Sequence, residues 1–328
     1  MKTLIAASLL TALSFSAFAE RQSSEPIQVI EPVVGLDQSK VDLGKTLWFE
    51  PRLSASNTIS CNSCHNLAKG GVDNLPSSIG HKWAIGPINS PTVLNSDLNF
   101  VQFWNGRAKD LREQAAGPIE NPLEMAFSHD LAVDTLQSIP QYQAWFKAAY
   151  GVDTITITEV TDAIATFEQT LRTPNSPFDQ WLKGDDNALT TAQIEGYQLF
   201  KEKGCTACHS GPLAGGQMYQ KMGLVKPFAT DNPDIGRKAI TGNEFDKFVF
   251  KVPTLRNVEL TYPYFHDGSV WQLEEAVSMM ADLQLGKKLT KDESGKITEF
   301  LKSLTGEQPS ITLPHLPPSA DETARPNI

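Results

Sequence analysis

Two pentapeptides constrain this chain more than any other feature: Cys61-Asn62-Ser63-Cys64-His65 and Cys205-Thr206-Ala207-Cys208-His209. In Cys-x-x-Cys-His, two thiols add to the two vinyl groups of one porphyrin, and the adjacent His coordinates the iron. Two intervening residues bring both sulfurs to one ring edge. All four cysteines of the chain are used this way, so no disulfide framework remains. A pair of zinc or redox Cys-x-x-Cys sites would leave His65 and His209 unexplained. The motifs call for two covalent haem c groups, attached at Cys61, Cys64, Cys205 and Cys208, with His65 and His209 as iron ligands.

The chain has 328 residues, enough for two domains, and a net charge of -10. That balance argues against a nucleic-acid partner and offers a docking surface to a basic electron donor. Residues 1–19 read as a secretory signal: Lys2, an apolar run from Leu4 to Phe18, and the cleavage site Ala17-Phe18-Ala19. The run is too short for a retained membrane span, and no other segment reads as one. Haem c is attached outside the cytoplasm, so the expected location is the periplasm, with the mature chain starting at Glu20.

Val41, Leu43, Leu47 and Trp48 predict a helix over 37–49, ended by Pro51. Thr190-x-x-Gln193 is a capping box ahead of Ile194, Tyr197 and Phe200. Gly44-x-x-Leu47 and Gly196-x-x-Leu199 hold matching places before the two motifs, an internal repeat of two cytochrome-like units. Further helices are expected over 131–149, over 160–171, from a Ser269-x-x-Gln272 cap to Leu283, and from a Thr290-x-x-Glu293 cap through Leu304. Segments 70–95 and 211–251 are loop-rich, and the proline-rich tail beyond Gly306 is expected to lie extended. The expected fold is mainly α, with two cytochrome c-like haem domains, long loops and minimal strand. Gly184-Asp185-Asp186-Asn187 marks the boundary between domains 20–184 and 185–328.

The occupant of each iron's remaining axial position decides function. Met280 lies on the apolar face defined by Leu273, Ala276, Val277 and Leu283, while Met279 points elsewhere. Met280 is therefore the candidate ligand of the second haem, with core filler as the plain alternative. His81, between Gly80 and Gly86-Pro87, is the candidate for the first; a ligand on such a loop can leave without disturbing packing. His129 and His315 read as solvent-facing, and His266, in Tyr264-Phe265-His266-Asp267-Gly268, as a hydrogen-bonding residue.

The chain resembles the bacterial dihaem cytochrome c peroxidases over nearly all of its mature length. The stretches that carry the resemblance include Ser78-Ile79-Gly80-His81, Gly86 to Val93, Phe103-Trp104-Asn105-Gly106-Arg107-Ala108, Gln114-Ala115-Ala116-Gly117-Pro118, Asn121-Pro122-Leu123-Glu124-Met125 and Thr261 through Ser269. The resemblance implies a low-potential peroxidatic N-terminal haem with displaceable His81, and a high-potential C-terminal haem where electrons enter, ligated by Met280. It makes Trp104 the residue between the haems, Gln114 and Glu124 the peroxide-pocket pair, and Phe103 an aromatic beside them. A carboxylate there can take a proton from peroxide and return it to the leaving oxygen. Gly117, Pro118 and Pro122 lie between Gln114 and Glu124, so a loop is expected to join them. The resemblance also implies one calcium ion held by the Asn89 side chain and the Thr261 and Pro263 carbonyls.

The implied partners are hydrogen peroxide and a small cytochrome c or copper-protein donor, and the implied assembly is a homodimer. Reduction of the second haem is expected to release His81. A non-enzymatic dihaem electron carrier is the alternative, and it has no need of Gln114 or Glu124. A related dihaem enzyme matures a tryptophan-derived quinone in another protein; it has a tyrosine where Met280 stands and lacks the displaceable His.

Overall fold

Capping decides where the helices begin. The computed structural model describes residues 24–323, so the expected signal segment 1–19 and the start at Glu20 lie outside the described residues. The Asp37 carboxylate accepts from the Ser39 and Lys40 N–H groups and opens α1 (Gln38–Trp48). The first motif forms a single turn, α2 (Cys61–Cys64). Then come α3 (Leu111–Glu120), α4 (His129–Gln137), α5 (Pro140–Tyr150) and α6 (Ile157–Glu168). The second half holds α7 (Pro177–Leu182), α8 (Thr191–Lys203), α9 (Lys238–Thr241), α10 (Leu273–Leu285) and α11 (Lys291–Lys302). The capping boxes expected at Thr190 and Thr290 are both formed. Strands β1 (Tyr219–Lys221) and β2 (Val249–Lys251) pair antiparallel. The fold is mainly α with minimal strand.

Three local expectations are corrected. The span 131–149 is two helices, because Pro140 starts α5 at its first position, where a missing N–H costs nothing. Gln272, not Ser269, precedes α10, and no side chain caps it. Between Gln114 and Glu124 the chain is helical as far as Glu120. Pro118 sits inside α3, whose last turn is closed by the Asn121 N–H on the Gly117 carbonyl.

The repeat is deeper than the sequence spacing suggested. A Cβ on Gly44 would strike the Ala163 carbonyl and Phe167 on α6; one on Gly196 would strike the Lys296 carbonyl and Phe300 on α11. Each glycine thus lets the helix before a motif touch the last helix of its half. One turn on, Trp48 packs on Phe167 and His65, and Phe200 packs on Phe300 and His209. A second repeat is Pro91-Thr92-Val93-Leu94-Asn95 with Pro253-Thr254-Leu255-Arg256-Asn257. Thr92 and Thr254 each accept from the N–H two residues on. Asn95 and Asn257 are both left-handed, at φ 60° and 61°. Their Nδ2 atoms both donate to Thr173 Oγ1, at 2.8 and 2.9 Å.

Two buried clusters result. One is built from residues between Val41 and Leu171, the other from residues between Phe178 and Leu304 together with Ile27 and Val29. Helix α7 precedes Gly184 yet packs in the second cluster. Arg256 anchors it there. The fully buried guanidinium bonds Asp179 at 2.8 Å, Ser176, and the carbonyls of Gln28 and Pro212. The extended tail returns to the first half, where Arg52 donates to the Pro317 carbonyl and Ile311 joins the core.

Gly44→Ala and Gly196→Ala should each lower stability by about 1–3 kcal/mol through overpacking against backbone. Gly295→Ala on α11, where a Cβ meets nothing within 4 Å, should instead gain about 0.5–1 kcal/mol. Thermal unfolding of the three variants checks both signs.

Candidate functional site

The second motif opens onto a cavity of about 250 Å3 lined by Cys205, Cys208, His209 and, across it, Met280. His209 Nδ1–H donates to the Ala214 carbonyl at 3.1 Å, which leaves Nε2 with its lone pair. Burial lowers this imidazole's pKa to about 4, so it is held neutral, as a ligand must be. Leu273, Ala276 and Val277 line the same wall of α10 as Met280, whereas Met279 packs into the second core. A free thiol pair, a neutral imidazole and a thioether around one cavity fit a covalent haem.

At the first motif, His65 is half-buried, and desolvation lowers its pKa; the Gly71 and Pro91 carbonyls face the ring. No hydrogen bond closes on its Nδ1, nor on the buried Nδ1 of His81. The Cys61 thiol is pushed up by burial, and Cys64 up to about 11 for the same reason. Two half-buried imidazoles, each with a buried and unpartnered Nδ1, beside a thiol pair fit a haem here as well.

His81 and Glu124 meet through backbone. The His81 N–H donates to the Glu124 carbonyl at 2.7 Å, and Gly80 lies so close to Leu123 and Glu124 that a Cβ would collide with both. The Glu124 carboxyl is raised by burial and held back by the Asn121 amide, which donates to it at 2.5 Å, and by the Arg107 guanidinium. Arg107 in turn lies 3.3 Å from the Phe103 ring centroid. The Phe103 ring faces Gly117 on α3. Gln114, Gly117 and Asn121 recur at helical spacing, so α3 presents Gln114 on the face that meets Phe103. Arg107 and Asn121 were missed as pocket residues in the sequence. The signal was weak: both lie in the resembling stretches, but nothing local links either to Glu124.

Trp104 stands at the junction of the halves. Its Nε1–H donates to the Asn89 carbonyl at 2.8 Å, and its ring meets Phe250 and His266 edge-on. With Val72 and Pro91 it lines the second cavity from the first half. Asn89, Thr261 and Pro263 line that cavity too. Asn89 Nδ2 donates to the Leu75 carbonyl, which leaves Oδ1 for another partner. His266 is not the hydrogen-bonding ring expected. It stacks on Phe250 at 4.5 Å, and its buried Nε2 has no partner. His129 is half-buried and donates from Nε2 to the Ala116 carbonyl, so it does not simply face solvent.

The sequence also gave no warning of Glu168. It is buried at the end of α6 with both oxygens unpartnered, and burial raises its pKa to about 8, with Asp97 adding to the effect.

Residues 38–187 match the family described as Di-haem cytochrome c peroxidase, and residues 193–305 match Cytochrome c. Cytochrome c551 peroxidase of Nitrosomonas europaea is 57% identical over 311 residues, 95% of this chain and 93% of the relative. Cytochrome c551 peroxidase of Pseudomonas aeruginosa is 49% identical, covering 89% and 86%. Among solved structures, a MauG-like protein associated with microbial copper homeostasis superposes with TM-score 0.76 at 28% identity, covering 85% of this chain and 94% of that one.

Glu168 makes stability depend on pH. Its pKa is about 8 folded against an ordinary 4.5, so between those values the folded protein holds a proton that the unfolded chain has released. Stability then falls as pH rises, by up to ~1.4 kcal/mol per unit from this group. Glu168→Gln should flatten that slope between pH 5 and 8, as measured by denaturant unfolding at each pH.

Proposed function

The chain belongs to the di-haem cytochrome c peroxidase family, and on that premise we propose that it reduces hydrogen peroxide to water in the periplasm, drawing two electrons from a small cytochrome c or copper protein. The observation that carries this reading is the meeting of the His81 loop with the Glu124 turn, where the His81 N–H donates to the Glu124 carbonyl and both residues are half-buried. When bound, the haems supply the iron that takes peroxide and the reservoir that stores electrons. Cys61, Cys64 and His65 hold the first; Cys205, Cys208, His209 and Met280 hold the second.

The residues divide the remaining work. Glu124 takes the proton from one peroxide oxygen and returns it to the other as the O–O bond breaks. Asn121 aims that carboxylate, and its donated bond, with Arg107, keeps the carboxylate able to accept. The Gln114 amide orients peroxide, and Phe103 walls the pocket. His81 covers the site until its loop moves. Lys82 and Trp83 in that loop are left-handed, at φ 52° and 62°, and Trp83 is 85% exposed. Strain and exposure favour a segment that swings. Electrons enter through the C-terminal half and pass by way of Trp104. Asn89 Oδ1 and the Thr261 and Pro263 carbonyls are the oxygen donors that suit one Ca2+ at the junction.

Glu124→Gln should lower kcat/KM for peroxide by about 10²–10⁴-fold. Reduction of the variant by donor should be unchanged, and its haem content should remain two per chain. Turnover indifferent to Glu124 would favour the electron-carrier reading.

A further inference from the structure

Lys251 is the last residue of β2 and is 7% exposed. It lines the cavity that Cys205, Cys208, His209 and Met280 share. Burial alone lowers its pKa to about 8, and no neighbouring acid offsets the effect. Its backbone is fixed: the N–H donates to the Trp104 carbonyl at 2.7 Å, and Lys251 pairs with Tyr219 across the sheet. The Nζ has no hydrogen-bond or ion-pair partner among the described residues. Lys203, the other lysine on the cavity, is paired with Glu293. No Asp or Glu is among the residues lining the cavity. A buried ammonium without a counter-charge is costly, and the protein supplies none here.

We propose that Lys251 is the counter-charge for an acid side chain of the porphyrin held by Cys205 and Cys208, and that it positions that group and raises the reduction potential of the C-terminal centre. The inference rests on the haem placement above, and it concerns a residue outside the ligand set. Porphyrin acids are anionic at neutral pH, so the pair satisfies both charges in one desolvated place. A fixed cation beside the ring favours the reduced state, which carries one positive charge fewer. In the repeat, Pro253 corresponds to Pro91, so the neutral Asn89 stands where Lys251 does. The cation is thus present on one copy only.

The test is a spectroscopic redox titration of the two-haem protein and of Lys251→Met and Lys251→Arg, with haem counted per chain. Lys251→Met should shift the reduction equilibrium of the C-terminal haem at least tenfold toward oxidised, a downward move of at least about 59 mV for one electron. The N-terminal potential should not move, and Lys251→Arg should stay near wild type. Unchanged potential in Lys251→Met, or equal shifts at both haems, overturns the proposal. If Lys251→Met fails to retain its second haem, retention by Lys251→Arg supports the charge pair, and loss in both variants overturns it. A wild-type chain that carries a single haem would overturn the placement itself, a result the count separates from the others.

Discussion

Where α1 crosses α6 at Gly44, and α8 crosses α11 at Gly196, there is no room for a Cβ between the backbones. That contact sets the depth of everything beside it. With the helices touching, Trp48 and Phe200 fall one turn further on, each between its partner helix and the motif His. An aromatic packed behind an imidazole restricts how the ring can turn. The cysteines follow from the same anchor, because both motifs are single turns a short way beyond the crossing helix. The chemistry requires two sulfurs and one nitrogen in fixed relation, and the glycine crossing supplies the rigid frame that holds them.

The halves are joined by polar groups as well as by packing. Thr173 Oγ1 accepts from Asn95 and from Asn257, so equivalent residues of the two repeats converge on one hydroxyl. Arg256 ties α7, the N-terminal segment and the loop after the second motif together. Every donor in these networks that is named here has an acceptor, which makes a buried polar junction specific rather than costly. It also explains why the second cavity takes lining from the first half. The Pro91 repeat that backs His65 continues into the wall that Trp104 and Asn89 share.

Much of this was legible in the chain, for local reasons. Cys-x-x-Cys-His states its own chemistry, and the Thr190 and Thr290 boxes state where helices start, because caps act within four residues. The paired glycines were visible as spacing, but not their purpose, since the carbonyls they approach lie a hundred or more residues away. Met280 could be placed on an apolar face by phase. That Met279 packs into the core and is not left outside depends on tertiary neighbours that helical phase does not see. The loop expected between Gln114 and Glu124 is mostly helix: α3 runs to Glu120 across Pro118, which forgoes one N–H bond, and the Asn121 N–H on the Gly117 carbonyl closes the turn after it. Lys251 and Glu168 were illegible: nothing near them in sequence says that a charge will be buried without a partner.

The two repeats share a frame, and on the reading proposed above their differences carry the division of labour. Phe167 and Phe300 are equivalent through the glycine crossings, so Glu168 corresponds to Leu301. Leu301 lines the second cavity. The same place on the first copy holds a carboxyl that burial keeps protonated at neutral pH. The first copy also gathers Glu124, Arg107 and His81, whereas the second presents a thioether and apolar helix wall. Moving an electron asks for little reorganisation, and an apolar surround with fixed ligands meets that need. On the assignment proposed above, breaking an O–O bond asks for protons at defined places, and Glu124, whose pKa burial raises while Asn121 and Arg107 hold it back, meets that need. On that assignment, one folding frame used twice serves two chemistries, through side chains that the frame itself does not require.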